Sequence, residues 1–232
     1  NARNLQHKGE CWIYDNGEVC DKAVVRDNAK VIDKAVVYGS ATIAESARVR
    51  NNAKVNGNAR ISGLAVVGDK ARVQGKAQIG EFANLSGDAW VFSSAVVTGS
   101  ATVENNAQVR GEAQVDGEAR IIARAVVEQG AHVFENAVIS DDALITDNAV
   151  VRGSSEVTGR GKASGFAKIV GNAKIKNDAI VWGNAEVIDA TLSDRASVSG
   201  VETVVCHNAH IRDSASVTSD ASGSPWVGGN AQ

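Results

Sequence analysis

An aliphatic residue returns at every sixth position along most of the chain. From Ile13 the series runs through Val19, Val25, Val31, Val37 and Ile43 and, apart from Ala163, continues to Val187. The residue two places earlier is small, and from Ala23 to Ala185 it is Ala except at Ser155 and Gly161. Two places later stands Gly, Asp, Asn or Glu, as in Asp27, Gly39, Asn51 and Gly171, with Ser93, Ala123 and Gln129 as exceptions. A period of six cannot stay on one face of an α-helix, which turns about every 3.6 residues. In an extended strand, residues two apart share a face, so Ala and the aliphatic residue point inward together and the residue between them points out. Each hexapeptide therefore reads as a very short strand plus a corner. Gly, Asn and Asp supply the corner's turn conformation at least steric cost, and β-branched side chains suit the buried pleat.

A strand this short needs neighbours, which successive turns of a coil supply at a rise of about 4.7–4.9 Å. Three such sides make an 18-residue triangular coil. The predicted fold is all-β: a single-stranded parallel β-helix of about thirteen coils, roughly 60 Å long. Residues 1–12 are expected to form an N-terminal cap, with Leu5, Trp12 and Tyr14 covering the first coil. Residues 13–217 form the solenoid, with irregular coils at 188–205, where the inward step shortens between Val187 and Leu192 and lengthens between Val198 and Val205. Residues 218–232 are a C-terminal cap or tail, in which Pro225, Trp226 and Val227 fold over the last coil. Corner residues 18 apart, Lys70, Asp88, Asn106, Arg124, Asp142, Arg160 and Asp178, alternate in charge and are expected to stack.

Composition agrees with a narrow interior. Of 232 residues 44% are hydrophobic but only 4% aromatic, with no Met and one Pro. The 24 basic and 27 acidic residues give a net charge of −3, without the concentrated positive field that a phosphate backbone requires, so nucleic acid is not an expected partner. No apolar run reaches the length of about 18 residues needed to span a bilayer. The sequence opens at Asn1 and holds no Met, which implies that a translation start was removed or not included. Cys11, Cys20 and Cys206 lack metal-type spacing and read as free thiols of a reducing compartment, which favours the cytoplasm.

Candidate chemistry is sparse. His132 and His210 take outward strand positions, while His207 sits in a turn beside Cys206. His207 and His210, joined by Asp213 near the irregular coil, form the best catalytic or metal cluster the sequence offers, although each His also fits a solvated surface. No metal is expected. Trp90, Phe92, Leu144, Ile180 and Trp182 fall outward on the second side of the coil, as a candidate contact surface for a protein partner. Regularly stacked Thr-x-Thr, the mark of an ice-binding face, does not occur.

Segments such as Val55–Ile61 (VNGNARI) and Val181–Val187 (VWGNAEV) resemble the hexapeptide-repeat family. The Asn-Ala-rich pattern, with its opening Gly9-Glu10-Cys11-Trp12-Ile13-Tyr14, is similar to a bacterial and prophage variant commonly labelled acetyltransferase. The resemblance implies a left-handed parallel β-helix, a homo-oligomer such as a side-by-side trimer, and acetyl-CoA as cofactor if the chain is an acyltransferase, with His132, His207 or His210 as base at a subunit interface. Enzymes of the family usually interrupt their coils with long catalytic loops, and none occurs between Ile13 and Val187. The expectation is therefore a non-catalytic structural or protein-binding rod without cofactor. The alternatives are a CoA-dependent acyltransferase and an end-to-end filament former.

Overall fold

A computed structural model describes residues 4–6, 9–219 and 226–227. The described chain is all-β, without an α-helix: 37 strands of two or three residues each, in strict rotation among three faces. The first face begins with Trp12–Ile13 and Lys30–Val31, the second with Glu18–Val19 and Val36–Val37, the third with Leu5–Gln6 and Val24–Arg26. Each strand pairs in parallel with the one a turn later, as where Lys30 faces Arg48 and Val31 faces Val49. The register is 18 residues per turn, the one expected from the period, and the described residues make about twelve turns.

The chain divides into two compact units, residues 1–117 and 118–232. In each unit every face carries a parallel sheet of six or seven strands. The first unit holds inward pairs such as Ala59 and Ile61 or Ala83 and Leu85, and the second holds Ala119 and Ile121 or Ala143 and Ile145, all fully buried. Residues between them point outward, so the cores are almost wholly Ala, Val and Ile. Where Ser155 and Thr203 take the small inward position, their hydroxyls donate to the carbonyls of Arg152 and Ser199 at 2.8 and 2.6 Å. A buried hydroxyl left without such an acceptor would be strongly unfavourable.

The corners adopt left-handed backbone. Asp27 and Asn51 have φ of 60° and 59°, and the three residues that broke the sequence rule, Ser93, Ala123 and Gln129, still comply at 63°, 61° and 60°. Acidic residues there do more than tolerate the conformation. The carboxylate of Asp21 accepts the Gly39 N–H at 3.0 Å, Asp33 accepts that of Asn51 at 2.9 Å, and Asp141 accepts that of Gly159 at 2.9 Å, each one turn on. The backbone donor that a tight corner leaves over is thus satisfied by the preceding turn. The expected charge stack is present in part: Arg124 pairs with Asp142 and Arg160 with Asp178, both at 2.6 Å.

At the short step Asp189 (φ 50°) accepts the backbone N–H of Asn172 at 2.7 Å, reversing the direction of the ladder. At the long step Gly200 (φ 112°) opens a projection through Val201 and Glu202, with Val201 52% exposed. At the start, Leu5–Gln6 already pairs with Val25–Arg26, and the amide of buried Asn4 donates to Ala23 O at 2.7 Å and to Asp21 O at 3.2 Å. Trp12 and Tyr14 do not cover this turn. They stack on each other on the outer surface, 5.7 Å between ring centroids, because strand parity turns Cys11 and Ile13 inward instead. At the other end Trp226–Val227 pairs with Val204–Val205 and extends the third face; Pro225 lies outside the described residues.

Candidate functional site

The irregular coils supply the most concentrated chemistry. His210 lies on the first face opposite Thr191, which in turn faces Lys174. His207 sits at the preceding corner with φ 55°, its Nδ1 2.8 Å from the Sγ of Cys206. The corner and the face converge on an open depression of about 500 Å³ lined by Asn172, Lys174, Asp189, Thr191, His207, Asn208 and His210. His207 and His210 thus both line this depression. Asp213 is not in the lining: it occupies the next corner, where its backbone N–H donates to Asp194 Oδ2 at 3.3 Å.

Lys174 and Asp189 are the residues sequence reasoning missed. Lys174 stands two turns below His210 in the same column, and the five-residue step shifts Asp189 to meet Asn172. Counting back one turn from His207 and two from His210, with the short step allowed for, finds both. Chemically the depression offers two imidazoles, an ammonium and a carboxylate that is already committed to backbone and side-chain donors of Asn172. Cys206 is buried beneath His207, so the imidazole and not the thiol meets the depression. Among the described residues no group of three or more His, Cys, Asp and Glu is placed to hold a metal ion.

His132 lies apart from these, on the third face beside Val150, its ring tilted against Phe134 with centroids 4.4 Å apart. At the corner that follows Thr191–Leu192, Asp194 has its carboxyl held below the usual carboxylate range, chiefly by the backbone N–H of Asp213 and then by the Ser193 hydroxyl and the Asn177 amide. A second depression, of about 670 Å³, lies beside the Gly200 projection and is lined by exposed Phe166 with Lys168, Asn184, Glu186 and Glu202.

The apolar surface residues fall on the second face of each unit. In the first unit Trp90 and Phe92 are half-buried and stack at 4.2 Å, with the Arg110 guanidinium 6.0 Å above the Phe92 ring. In the second unit Leu144 is half-buried, whereas Ile180 and Trp182 are 37% and 51% exposed. Lys162 separates Leu144 from Ile180 in the column, so the apolar surface is interrupted. Two further exposed rings were not anticipated: Phe82, which repeats the corner position of exposed Leu64 one turn on, and Phe166.

Comparison with known proteins finds no matching protein family and no curated relative of significant similarity. The class that the fold defines is a parallel β-solenoid of stacked 18-residue turns. No helix among the described residues is long and apolar enough to cross a membrane.

Proposed function

We propose that this chain is a non-catalytic structural or protein-binding β-solenoid of hexapeptide-repeat type, which presents its outer faces to a partner protein or to another copy of itself and needs no cofactor. The supporting observation is the continuity of the register. Within each unit, between Trp12 and Thr218, the excursions from 18 residues per turn are the short step at Asp189 and the projection at Gly200, and neither builds an enclosed pocket. Ligand sites for small molecules are usually concave and largely enclosed, whereas the exposed side chains Ile180 and Trp182 suit contact between proteins. The free thiols Cys11, Cys20 and Cys206 favour a reducing compartment such as the cytoplasm.

Sedimentation velocity on the wild type and on an Ile180→Ser, Trp182→Ser variant tests the self-associating form of this reading. The wild type is expected to sediment as an oligomer, a trimer in the family's manner, and the variant as a monomer. An oligomer of unchanged size in the variant would remove the second face from consideration.

Two other readings rest on particular observations. The depression between His207 and His210 favours a CoA-dependent acyltransferase in which one imidazole acts as base. Exposed Ala215, at an inward position of the last described turn, favours end-to-end stacking into filaments. Micrographs distinguish the latter: elongated particles support it and short discrete rods exclude it.

A further inference from the structure

The first unit gathers cations at the edge where its first face turns into its second. Lys30 and Lys34 come from one turn, Arg48, Arg50 and Lys54 from the next, and Lys70 and Arg72 from the one after. All but half-buried Lys30 are exposed. The register sets cation directly over cation: Lys30 faces Arg48 and Lys54 faces Arg72. Like charges so placed destabilise a sheet. On the corresponding edge of the second unit the same register instead pairs Arg124 with Asp142 and Arg160 with Asp178.

Between Lys30 and Arg72 the two acids of this edge are occupied by backbone, Asp33 accepting the N–H of Asn51 and Asp69 that of Gly87, both at 2.9 Å, while the exposed acids Asp15 and Glu18 lie a turn earlier, in the turn of Trp12. Arg50 reaches across Gly68, where a Cβ would lie 3.3 Å from its Nε. Exposed Trp12 adjoins Lys30 in the first-face column, with Tyr14 stacked beside it. Trp, Tyr and Arg are the residues that dominate binding energy at protein interfaces.

We propose that this edge, from Trp12 to Arg72, docks an acidic segment of a partner polypeptide. The inference rests on the protein-binding reading above and names the partner's chemistry. A short carboxylate-rich segment matches the patch, whereas a long polyphosphate would run beyond it and meet a chain whose net charge is −3. Trp12 and Tyr14 also stack on each other, with an interplanar angle of 25°, rather than standing apart to receive a base between them.

The test is fluorescence anisotropy of a labelled oligoglutamate peptide with the full chain at low salt, alongside labelled oligothymidylate. The peptide is expected to bind, to weaken as salt rises, and to lose at least tenfold in affinity in an Arg48→Glu, Arg50→Glu variant, while Lys176→Glu in the second unit changes it less than twofold. The charge-reversed variant relieves the stacked cations, so its melting temperature is expected to be at least that of the wild type, which separates lost binding from lost fold. Absence of peptide binding, equal loss in Lys176→Glu, or tighter binding of oligothymidylate would overturn the proposal. Self-association read on Ile180 and Trp182 is a separate measurement, so either result can fail without the other.

Discussion

Strand parity makes neighbouring residues unequal, and the strand Leu144–Ile145 shows how unequal. Ile145 is fully buried, whereas Leu144 is half-buried on the outer surface of the same two-residue strand. In the column Ile145 lies between Val127 and Ala163. Truncation of a buried Ile to Ala generally costs about 2–5 kcal/mol, and the larger values occur where surrounding atoms cannot collapse into the space. Ala163 is already small and Ala143 shares the same strand face, so little side chain is available to fill the void. Ile145→Ala is therefore expected to cost about 4 kcal/mol. Leu144→Ala removes partly solvated surface and is expected to cost about 1 kcal/mol or less. Urea unfolding followed by circular dichroism measures both as midpoint shifts, with hydrogen exchange around residue 145 as a second probe, since repeat proteins can open locally. In the Ile145→Ala background Ala163→Val is expected to restore about 1 kcal/mol by refilling the column. Equal losses for the two truncations, or a larger one for Leu144→Ala, would refute the assignment of inward and outward positions.

Ala123→Gly is expected to raise stability by about 0.5–1 kcal/mol in thermal melts, because the left-handed φ of 61° strains Ala by more than the added chain freedom of Gly takes away; a lower melting temperature would contradict this. Gly153→Ala is expected to lose about 2–3 kcal/mol, since φ is 78° and the new Cβ would collide with the Gly171 carbonyl, while Gly80→Ala, whose Cβ would meet Thr98 Cγ2 at an ordinary 3.5 Å, stays within about 0.5 kcal/mol of wild type. The depressed Asp194 carboxyl contributes stability that is complete above the ordinary carboxylate range and is lost as pH falls through its lowered value. The melting temperatures of wild type and Asp194→Ala are accordingly expected to differ near neutral pH and to converge in acid; a gap that widens in acid would contradict the role given to its donors.

Most of the architecture was legible because one physical rule repeats. Ala and Val two residues apart must share a strand face, and Asp27, Asn51 or Gly39 at the corners must turn, so faces, register and core follow from the period of six. The irregular coils were legible as breaks in that period at Leu192 and Val205. What escaped was whatever depends on how turns meet. That the carboxylates of Asp33 and Asp141 accept a backbone N–H from the following turn is invisible in a hexapeptide read alone. The same holds for Lys174 and Asp189 beside the two imidazoles, and for Asp213, which shares their sequence neighbourhood but belongs to another corner. Trp12 and Tyr14 are expected to cover the first coil, whereas the alternation that places Cys11 and Ile13 inside puts both rings outside. Reading down columns of 18 rather than along the chain also finds the basic edge and the Leu64 and Phe82 corner.

The most direct test of the non-catalytic reading is isothermal titration of acetyl-CoA into the full chain. The account predicts no saturable heat in the wild type, and none in His132→Ala, His207→Ala or His210→Ala. Micromolar binding that disappears in His207→Ala or His132→Ala would contradict it and establish the acyltransferase reading in its place.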